Sequence, residues 1–180
     1  MGMKQTPTLE TERLLLRKLK MNDASTIYRY FSNREMTKYY GMEPFVTIIE
    51  AEKFIKDFLD DYTMLLRWGI VEKRTNKLIG TCGYHAISEK HKRAEIGYEI
   101  DLDSWGKGYA TEAVTQLVEY GLQELKLHRI GANVFPENKS SRKVLEKIGF
   151  KHEGLLRNYL YQGGKSHDAN VFSIINDCES

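Results

Sequence analysis

The sequence contains few residues of the kinds that mark disulfide-rich, fibrous or membrane proteins. It has only two cysteines and three prolines among 180 residues. Cys82 and Cys178 do not have the spacing of a metal or redox site, and Cys82 is expected to be a small core residue. No run of about 18 apolar residues occurs, which predicts no transmembrane helix, and no signal peptide is visible. These absences favour a protein of the reducing cytoplasm.

The sequence also lacks an excess of either charge. Its 27 Lys and Arg nearly balance 25 Asp and Glu, and a net charge of +2 without a long basic block predicts no direct binding to nucleic acid. A hydrophobic content of 41% at this length is typical of one globular domain, here 1–180. Residues 1–8 are expected to be flexible. Residues 1–6 match an N-myristoylation pattern, but Met3 favours the interpretation that Met1 and Gly2 are a cloning remnant.

The most informative segment that is present is a predicted strand, turn and helix. The strand covers 94–102, and the turn contains Gly106 and Gly108. Apolar residues then recur at helical spacing, at Ala110, Ala113, Val114, Leu117, Val118, Leu122 and Leu125. The first amides of a helix have no partner within it, and the helix dipole adds about half a positive charge there. The segment therefore predicts a binding site for a phosphate.

Two common nucleotide motifs do not fit this turn. A P-loop requires two glycines with four residues between them, then Lys and Ser or Thr, and the segment has no such spacing. The dinucleotide-binding motif requires a third glycine where the sequence has Thr111. A plain tight turn before a core helix is the alternative to a phosphate site.

The turn resembles a motif of a known family. Residues 105–110, Trp-Gly-Lys-Gly-Tyr-Ala, resemble the Q/R-x-x-G-x-G/A motif of GCN5-related N-acetyltransferases (GNAT), with Trp105 in place of the usual Gln or Arg. Residues 9–17, 138–154 and 163–168 resemble, in order, three further segments of one branch of that family. This branch is the Rim-type alanine N-acetyltransferases, which acetylate the N-termini of ribosomal proteins. The resemblance covers nearly the whole chain.

The resemblance implies an α/β fold with a mixed, mostly antiparallel sheet of about seven strands, helices on both faces, and a splayed, V-shaped cofactor cleft between the fourth and fifth strands. The sequence patterns agree. Strands are predicted near 14–17, 67–73, 77–87, 92–102 and 129–134, with a final pair around Gly163 and Gly164. Helices are predicted from a cap at Asn22 to Phe31, from a capping box at Thr47 through Tyr62, and from a cap at Asn138 to Gly149.

The resemblance also implies acetyl-CoA as co-substrate, and no metal. The backbone amides of the turn would hold the pyrophosphate, and an N–H near Ile100 would bind the oxyanion. The expected cofactor-binding residues are Ile100, Asp101, Leu102, Trp105, Gly106, Lys107, Gly108, Tyr109, Ala110, Asn138, Ser141 and Lys147. Asn138 and Ser141 also suit the first turn of a helix, so capping alone is an alternative role for them.

The implied reaction is direct attack of an amine on the thioester, which needs an acid for the departing thiolate. Many relatives use a tyrosine seven residues after the asparagine, but that position is Leu145 here. Ser141 is therefore the expected catalytic acid, because a hydroxyl held within about 3 Å of the sulfur can donate to it. Asn138 would hold the pantetheine arm or order a water.

The catalytic base is expected on the strand nearest the acetyl group. Tyr98 and Glu99 follow one another there, so one of the two should face the cleft. Glu99 is the preferred base and Tyr98 the other catalytic candidate on this strand, while Glu95 and His85 are alternatives. The alternative for any one of these carboxylates is that it lies on a solvated strand face and has no catalytic role.

The acceptor amine is the least determined part. A protein N-terminal amine of ribosomal-protein type is preferred, beneath a roof formed by residues between the first helix and Thr47, including 39–42. One alternative is a small amine such as a polyamine or an aminoglycoside. A polyamine needs a concentration of carboxylates, and the long helix offers Glu50, Glu52, Asp57, Asp60 and Asp61. An ordinary solvated helix face also explains these acids. Another alternative is a non-catalytic acetyl-CoA-binding regulator. A homodimer is left open.

Overall fold

The computed structural model describes residues 6–60 and 65–176, and in them the chain forms an open sheet of eight strands. The strands are β1 (Leu9–Glu10), β2 (Leu14–Lys18), β3 (Leu66–Glu72), β4 (Lys77–Ser88), β5 (Arg93–Ile100), β6 (Arg129–Val134), β7 (Lys151–Gln162) and β8 (Lys165–Ile175). The helices are α1 (Ala24–Phe31), α2 (Arg34–Thr37), α3 (Ile48–Asp60), α4 (Tyr109–Gln123) and α5 (Lys139–Ile148).

The sheet order is β1-β2-β3-β4-β5-β6-β8-β7. Neighbouring strands are antiparallel except β5 and β6, which are parallel. The sequence predicts about seven strands, and the additional one is the two-residue β1. The predicted mixed, mostly antiparallel α/β fold is confirmed.

Helices cover both faces of the sheet because successive strand residues point to opposite sides. In β3, Ile70 packs into the core beneath α4 and α5, whereas Val71 packs into the core beneath α1 and α3. Leu117 of α4 is fully buried in the first core, and Ile27 of α1 and Ile55 of α3 are fully buried in the second. These helices are therefore amphipathic, with their apolar faces against the sheet.

The sheet opens between β5 and β6. The two strands pair only from Arg93 with Arg129 to Glu95 with Gly131. Beyond Glu95, β5 stays paired with β4 as far as Ile100, but its other edge has no strand partner among the described residues. The splayed cleft is thus present as predicted, and it follows the fifth strand rather than the fourth because β1 precedes the predicted strands.

The expected helix cap at Asn22 is wrong. Residues Met21–Asp23 form a short 3₁₀ turn, and α1 begins directly after Asp23. The Asp23 carboxylate accepts hydrogen bonds from Arg17 at 2.8 and 2.9 Å and from the Lys20 amide at 2.8 Å. An acid paired with an arginine of β2 therefore shapes this turn, which local sequence does not reveal.

The predicted start of α3 is confirmed. The Glu50 carboxylate accepts from the amides of Val46 and Thr47, both at 2.7 Å, as the acid of a capping box does. The helix is described as far as Asp60, so its expected extension through Tyr62 lies outside the described residues.

The helix α5 is capped at both ends as predicted. The Asn138 side chain accepts from the Ser141 amide at 3.1 Å. Gly149 has a φ of +109°, the left-handed conformation that ends many helices. This pair of caps holds Ser141 in the first turn of the helix.

Two composition-based expectations also concern the fold. Cys82 is fully buried in the core, as predicted, whereas Cys178 lies outside the described residues. Within 6–60 and 65–176, no helix is both long and apolar enough to cross a membrane.

Candidate active site

A cavity of about 490 Å³ lies where β5 separates from β6. Its walls come from α2 and the loop after it, from the end of β5, from the turn before α4 and from the start of α5. Most residues predicted for the site line it: Tyr98, Glu99, Ile100, Trp105, Gly106, Gly108, Tyr109, Ala110, Asn138 and Ser141. Segments far apart in sequence therefore meet at the open edge of β5.

The predicted cofactor residues Asp101, Leu102, Lys107 and Lys147 do not line this cavity. The Asp101 amide donates to a carbonyl of β4 at 2.7 Å, and burial raises the pKa of the Asp101 carboxyl. The Lys107 ammonium donates to a backbone carbonyl at 2.8 Å. Lys147 is exposed in the last turn of α5. For these residues, contact with a cofactor stays a prediction.

Two glycines shape the turn before α4. Gly106 and Gly108 have φ values of +72° and +79°, in the left-handed region that residues with a side chain rarely adopt. No side chain caps α4 in the part of the chain that the structure describes, and the Glu112 amide donates to the Gly108 carbonyl at 3.1 Å. The amides ahead of Glu112 have no partner within the helix. With the helix dipole, they suit an anion at the cavity wall, and anion binding there stays a prediction.

The Trp105 side chain covers the junction between β5 and this turn. Its indole Nε1 donates to the Ile100 carbonyl at 2.6 Å, while 51% of the residue stays exposed. Trp105 stands where the family motif usually has Gln or Arg, and its one polar side-chain atom bonds the end of β5. The ring itself forms part of the cavity wall.

Tyr98 and Ser141 share a hydrogen bond across the opening of the sheet. Their hydroxyl oxygens are 2.7 Å apart, and both residues line the cavity. Burial raises the pKa of Tyr98 to about 12, with the Ser141 hydrogen bond acting in the opposite direction. The phenol therefore keeps its proton at neutral pH and is able to donate it to the serine oxygen.

Glu99 belongs to a buried charged cluster that sequence analysis missed. Its carboxylate accepts hydrogen bonds from Arg67 and Thr81, and Arg67 and Glu99 are each 7% exposed. Arg67 also donates to the Thr81 hydroxyl at 2.7 Å and to the Tyr40 hydroxyl at 2.6 Å. Burial alone would lower the pKa of Arg67, but the Glu99 carboxylate raises it above its usual value. The available signal was an arginine within a largely apolar strand, since a buried charge requires a partner.

The alternative bases lie elsewhere on the sheet. Glu95 and His85 do not line the cavity. They contact each other at 3.4 Å between carboxylate and ring nitrogen, and Asn133 donates to Glu95 at 2.9 Å. The hydrogen bond from His85 holds the pKa of Glu95 below its usual value despite partial burial. This pair is therefore an interaction between neighbouring strands.

α2 and the loop that follows it form a roof over part of the cavity. Tyr39 and Tyr40, from the predicted roof segment, line the cavity together with Glu35 and Met36 of α2. The Tyr40 ring lies 4.9 Å from that of Phe31, centroid to centroid, which holds it against the core beneath α1.

Gln162, at the end of β7, holds this roof, and sequence analysis did not identify it. Its side-chain nitrogen donates to the carbonyls of Thr37 at 2.7 Å and Met42 at 3.0 Å. Its oxygen accepts from the Gly41 amide at 3.0 Å. One side chain thus connects the β7–β8 hairpin to the roof loop.

A sequence model of the acetyltransferase (GNAT) domain matches residues 13–151, which include the glycine turn, Tyr98 and Ser141. The chain belongs to the GNAT acetyltransferase family. This membership makes it an acyltransferase of the N-acetyltransferase class.

Relatives of this GNAT protein differ in the acceptors that their names give. An uncharacterized N-acetyltransferase of Bacillus subtilis, YoaA, is 47% identical over 171 residues, which are 94% of this chain and 97% of the relative. The ribosomal-protein-S5-alanine acetyltransferase from Vibrio fischeri has a TM-score of 0.81 at 31% identity, covering 96% of this chain and 98% of that one. Spermidine N-acetyltransferase from Vibrio cholerae, solved with CoA and spermine, has a TM-score of 0.82 at 27% identity, with 92% and 96% covered.

GNAT enzymes use acetyl-CoA as the acetyl donor, and the described residues of this chain fit it. The amides that follow Gly106 suit the negative charge of a pyrophosphate. The unpaired edge of β5 beyond Glu95 offers backbone groups to an extended pantetheine arm, since a strand edge readily adds a further chain.

Proposed function

We propose that this N-acetyltransferase transfers the acetyl group of acetyl-CoA to the N-terminal amine of a protein of ribosomal-protein type. The observation that carries the proposal is the charge pairing of the carboxylates that line the cavity. Of the residues that line it, Glu35 and Glu99 are the carboxylates. Glu99 is paired with Arg67, and Glu35 lies 3.9 Å from Lys38. A polyamine carries several positive charges and favours unpaired carboxylates, whereas an N-terminus brings a single amine.

The acidic residues of α3 support the same choice. Glu50 accepts hydrogen bonds at the start of its own helix, and Asp57 pairs with Lys53 at 3.2 Å. These residues do not line the cavity. Asp61 and the side chain of Asp60 lie outside the described part of the chain. Glu50 and Asp57 therefore have structural partners on the helix, and neither they nor Glu52 line the cavity.

A second cavity of about 410 Å³ adjoins the first, and Tyr39 lines both. It lies between the roof loop and the β7–β8 hairpin, with Phe135 and His167 in its wall. A chain whose terminal amine enters the first cavity has room to continue past Tyr39. A small polyamine would not need this space.

For the leaving group, we propose that Ser141 and Tyr98 act in sequence. The acetyl donor supplies a thioester, whose carbon–sulfur bond breaks as the acceptor nitrogen bonds to the acetyl carbon. Ser141 donates its hydroxyl proton to the sulfur and recovers a proton from the Tyr98 phenol, 2.7 Å away. The proton that the acceptor amine loses then restores the phenol through solvent. The phenol thus takes the place of the tyrosine that many relatives have where this chain has Leu145.

For the attacking amine, we propose Glu99 as the proton acceptor, through a water. Its carboxylate lines the cavity but already accepts from Arg67 and Thr81, so a water provides the path to the amine. The oxyanion donor is a backbone N–H near Ile100, on the stretch of β5 that no longer pairs with β6.

The test is a panel of peptides with N-terminal Ala or Ser beside spermidine and an aminoglycoside, with free thiol as the readout. We expect turnover of peptides and little of the small amines. Turnover of spermidine without that of peptides would overturn the acceptor proposal. Calorimetric binding of acetyl-CoA without turnover of any acceptor would instead favour a regulator.

A further inference from the structure

We propose that Arg13, just before β2, is a positioning residue for the acetyl-CoA site, because it orients the glycine turn and neutralises the acid beside it. The proposal rests on the assignment of the pyrophosphate to the amides of 106–110. Arg13 does not line the cavity, so it acts through the turn rather than on the reacting atoms.

The first contact orients a peptide group of the turn. Arg13 Nη1 donates to the Lys107 carbonyl at 2.9 Å. A trans peptide group is planar, so its C=O and N–H point in opposite directions. With the Lys107 carbonyl directed to Arg13, the Gly108 N–H of the same group points away from Arg13. Gly108 itself lines the cavity, which makes this amide available to an anion there.

The second contact concerns charge. Glu112 lies in the first turn of α4, where its carboxylate would repel a bound pyrophosphate. Arg13 contacts Glu112 Oε2 through Nε and Nη2, both at 2.6 Å, and the Arg13 amide donates to Oε1 at 2.8 Å. Burial opposes ionisation, but hydrogen bonds from Thr11 and Arg13 hold the pKa of Glu112 below its usual value. The carboxylate is therefore charged at neutral pH, and Arg13 compensates it.

The third contact explains why an arginine suits this position. The guanidinium lies 4.7 Å from the centroid of the Tyr109 ring, on the first residue of α4. A planar guanidinium can bond a carbonyl and a carboxylate through different nitrogens while stacking on a ring. A lysine ammonium would keep the charge but lose this fixed geometry.

The test measures CoA binding by isothermal titration calorimetry in Arg13→Gln, Arg13→Lys, Glu112→Gln and the double variant Arg13→Gln/Glu112→Gln. We expect the Kd for CoA to rise about tenfold in Arg13→Gln, less in Arg13→Lys, and to recover in part in the double variant. Lys73→Gln is the matched control, because the Lys73 side chain contacts Glu10 and Thr11 but not the turn, and its amide keeps the hydrogen bond to the Arg13 carbonyl; it should leave the Kd unchanged.

A kinetic comparison separates positioning from a general structural role. In Arg13→Gln, kcat/KM should fall about tenfold with acetyl-CoA but stay unchanged with S-acetylpantetheine, which ends before the pyrophosphate. Equal losses with both donors, or an unchanged Kd for CoA, would overturn the proposal. If Arg13→Gln does not fold, Arg13→Lys decides by the same comparison.

Gly108→Ala separates this proposal from the site on which it rests. Alanine is strained at a φ of +79°, so the variant should weaken CoA binding if the turn holds the pyrophosphate. Normal CoA binding in Gly108→Ala would remove the pyrophosphate assignment itself. Weak binding there with normal binding in Arg13→Gln would remove only the role of Arg13. Both results are independent of which acceptor amine is used.

Discussion

Ser141→Ala should lower kcat about 10²-fold, the lower end of the range for loss of a general acid, because a serine hydroxyl is a weak acid. This corresponds to about 2.7 kcal/mol of transition-state stabilisation. The substituted hydroxyl lies on the cavity wall, 2.7 Å from the Tyr98 hydroxyl. The fold should tolerate the change, because Asn138 caps the helix through the backbone amide of Ser141, which alanine keeps.

Tyr98→Phe tests whether the phenol acts through the serine. It removes one hydrogen bond and keeps the ring, so we expect a loss in kcat of about tenfold. In the Ser141→Ala background it should have no further effect, because the two residues act as one unit. Burial raises the pKa of Tyr98 to about 12, so its ionisation should cause no loss of kcat below about pH 10.

The assay is thiol release with both substrates saturating, alongside thermal melting of each variant. Ser140→Ala is the matched control, since Ser140 lines the same cavity one residue earlier, and it should keep kcat. An unchanged kcat in Ser141→Ala would exclude this serine as the acid. Fully additive losses in the double variant would refute the sequential transfer from Tyr98.

Three further variants test other parts of the molecule. Glu99→Gln should lower kcat/KM because it removes the proposed proton acceptor, and an unchanged kcat/KM argues against Glu99 as the base. Gln162→Leu should raise the acceptor KM several-fold but not the acetyl-CoA KM, because the side chain holds the roof loop; equal changes would contradict this. Arg129 and Ser173 lower the pKa of Glu153 to about 2, so its stabilisation is present above about pH 4.3 and lost as pH falls towards 2. The melting temperature of Glu153→Gln should therefore fall less steeply over that pH range than that of the unsubstituted protein. Equal slopes would refute the stabilising role of the Glu153 carboxylate.

Local features of this fold were predictable because the interacting residues are close in sequence. The Asn138 side chain caps an amide three residues later, and Glu50 accepts from the amide three residues earlier. Gly108 and Gly149 occupy left-handed positions that other residues rarely adopt. Such patterns can be recognised without knowledge of the sheet. Asn22 is the exception, since the turn there depends on Arg17 in β2.

The interactions that were missed join distant segments. Arg67 reaches Glu99 across 32 residues, and Gln162 reaches the Gly41 amide across 121. The order of the strands in the sheet decides which distant segments become neighbours, and no local sequence pattern encodes that order. The resemblance to relatives supplied the outline of the sheet, but not the partners that this chain's own side chains find.

By itself, the sequence determined the family resemblance, the α/β class and the glycine turn before α4, because these depend on apolar periodicity and on conformations that only certain residues adopt. The tertiary structure alone decided that Ser141 has Tyr98 as its partner, that Glu99 is paired with Arg67, and that Arg13 lies behind the glycine turn. Burial of the apolar faces brings these elements together, and polar groups then bond with whatever the packing places beside them.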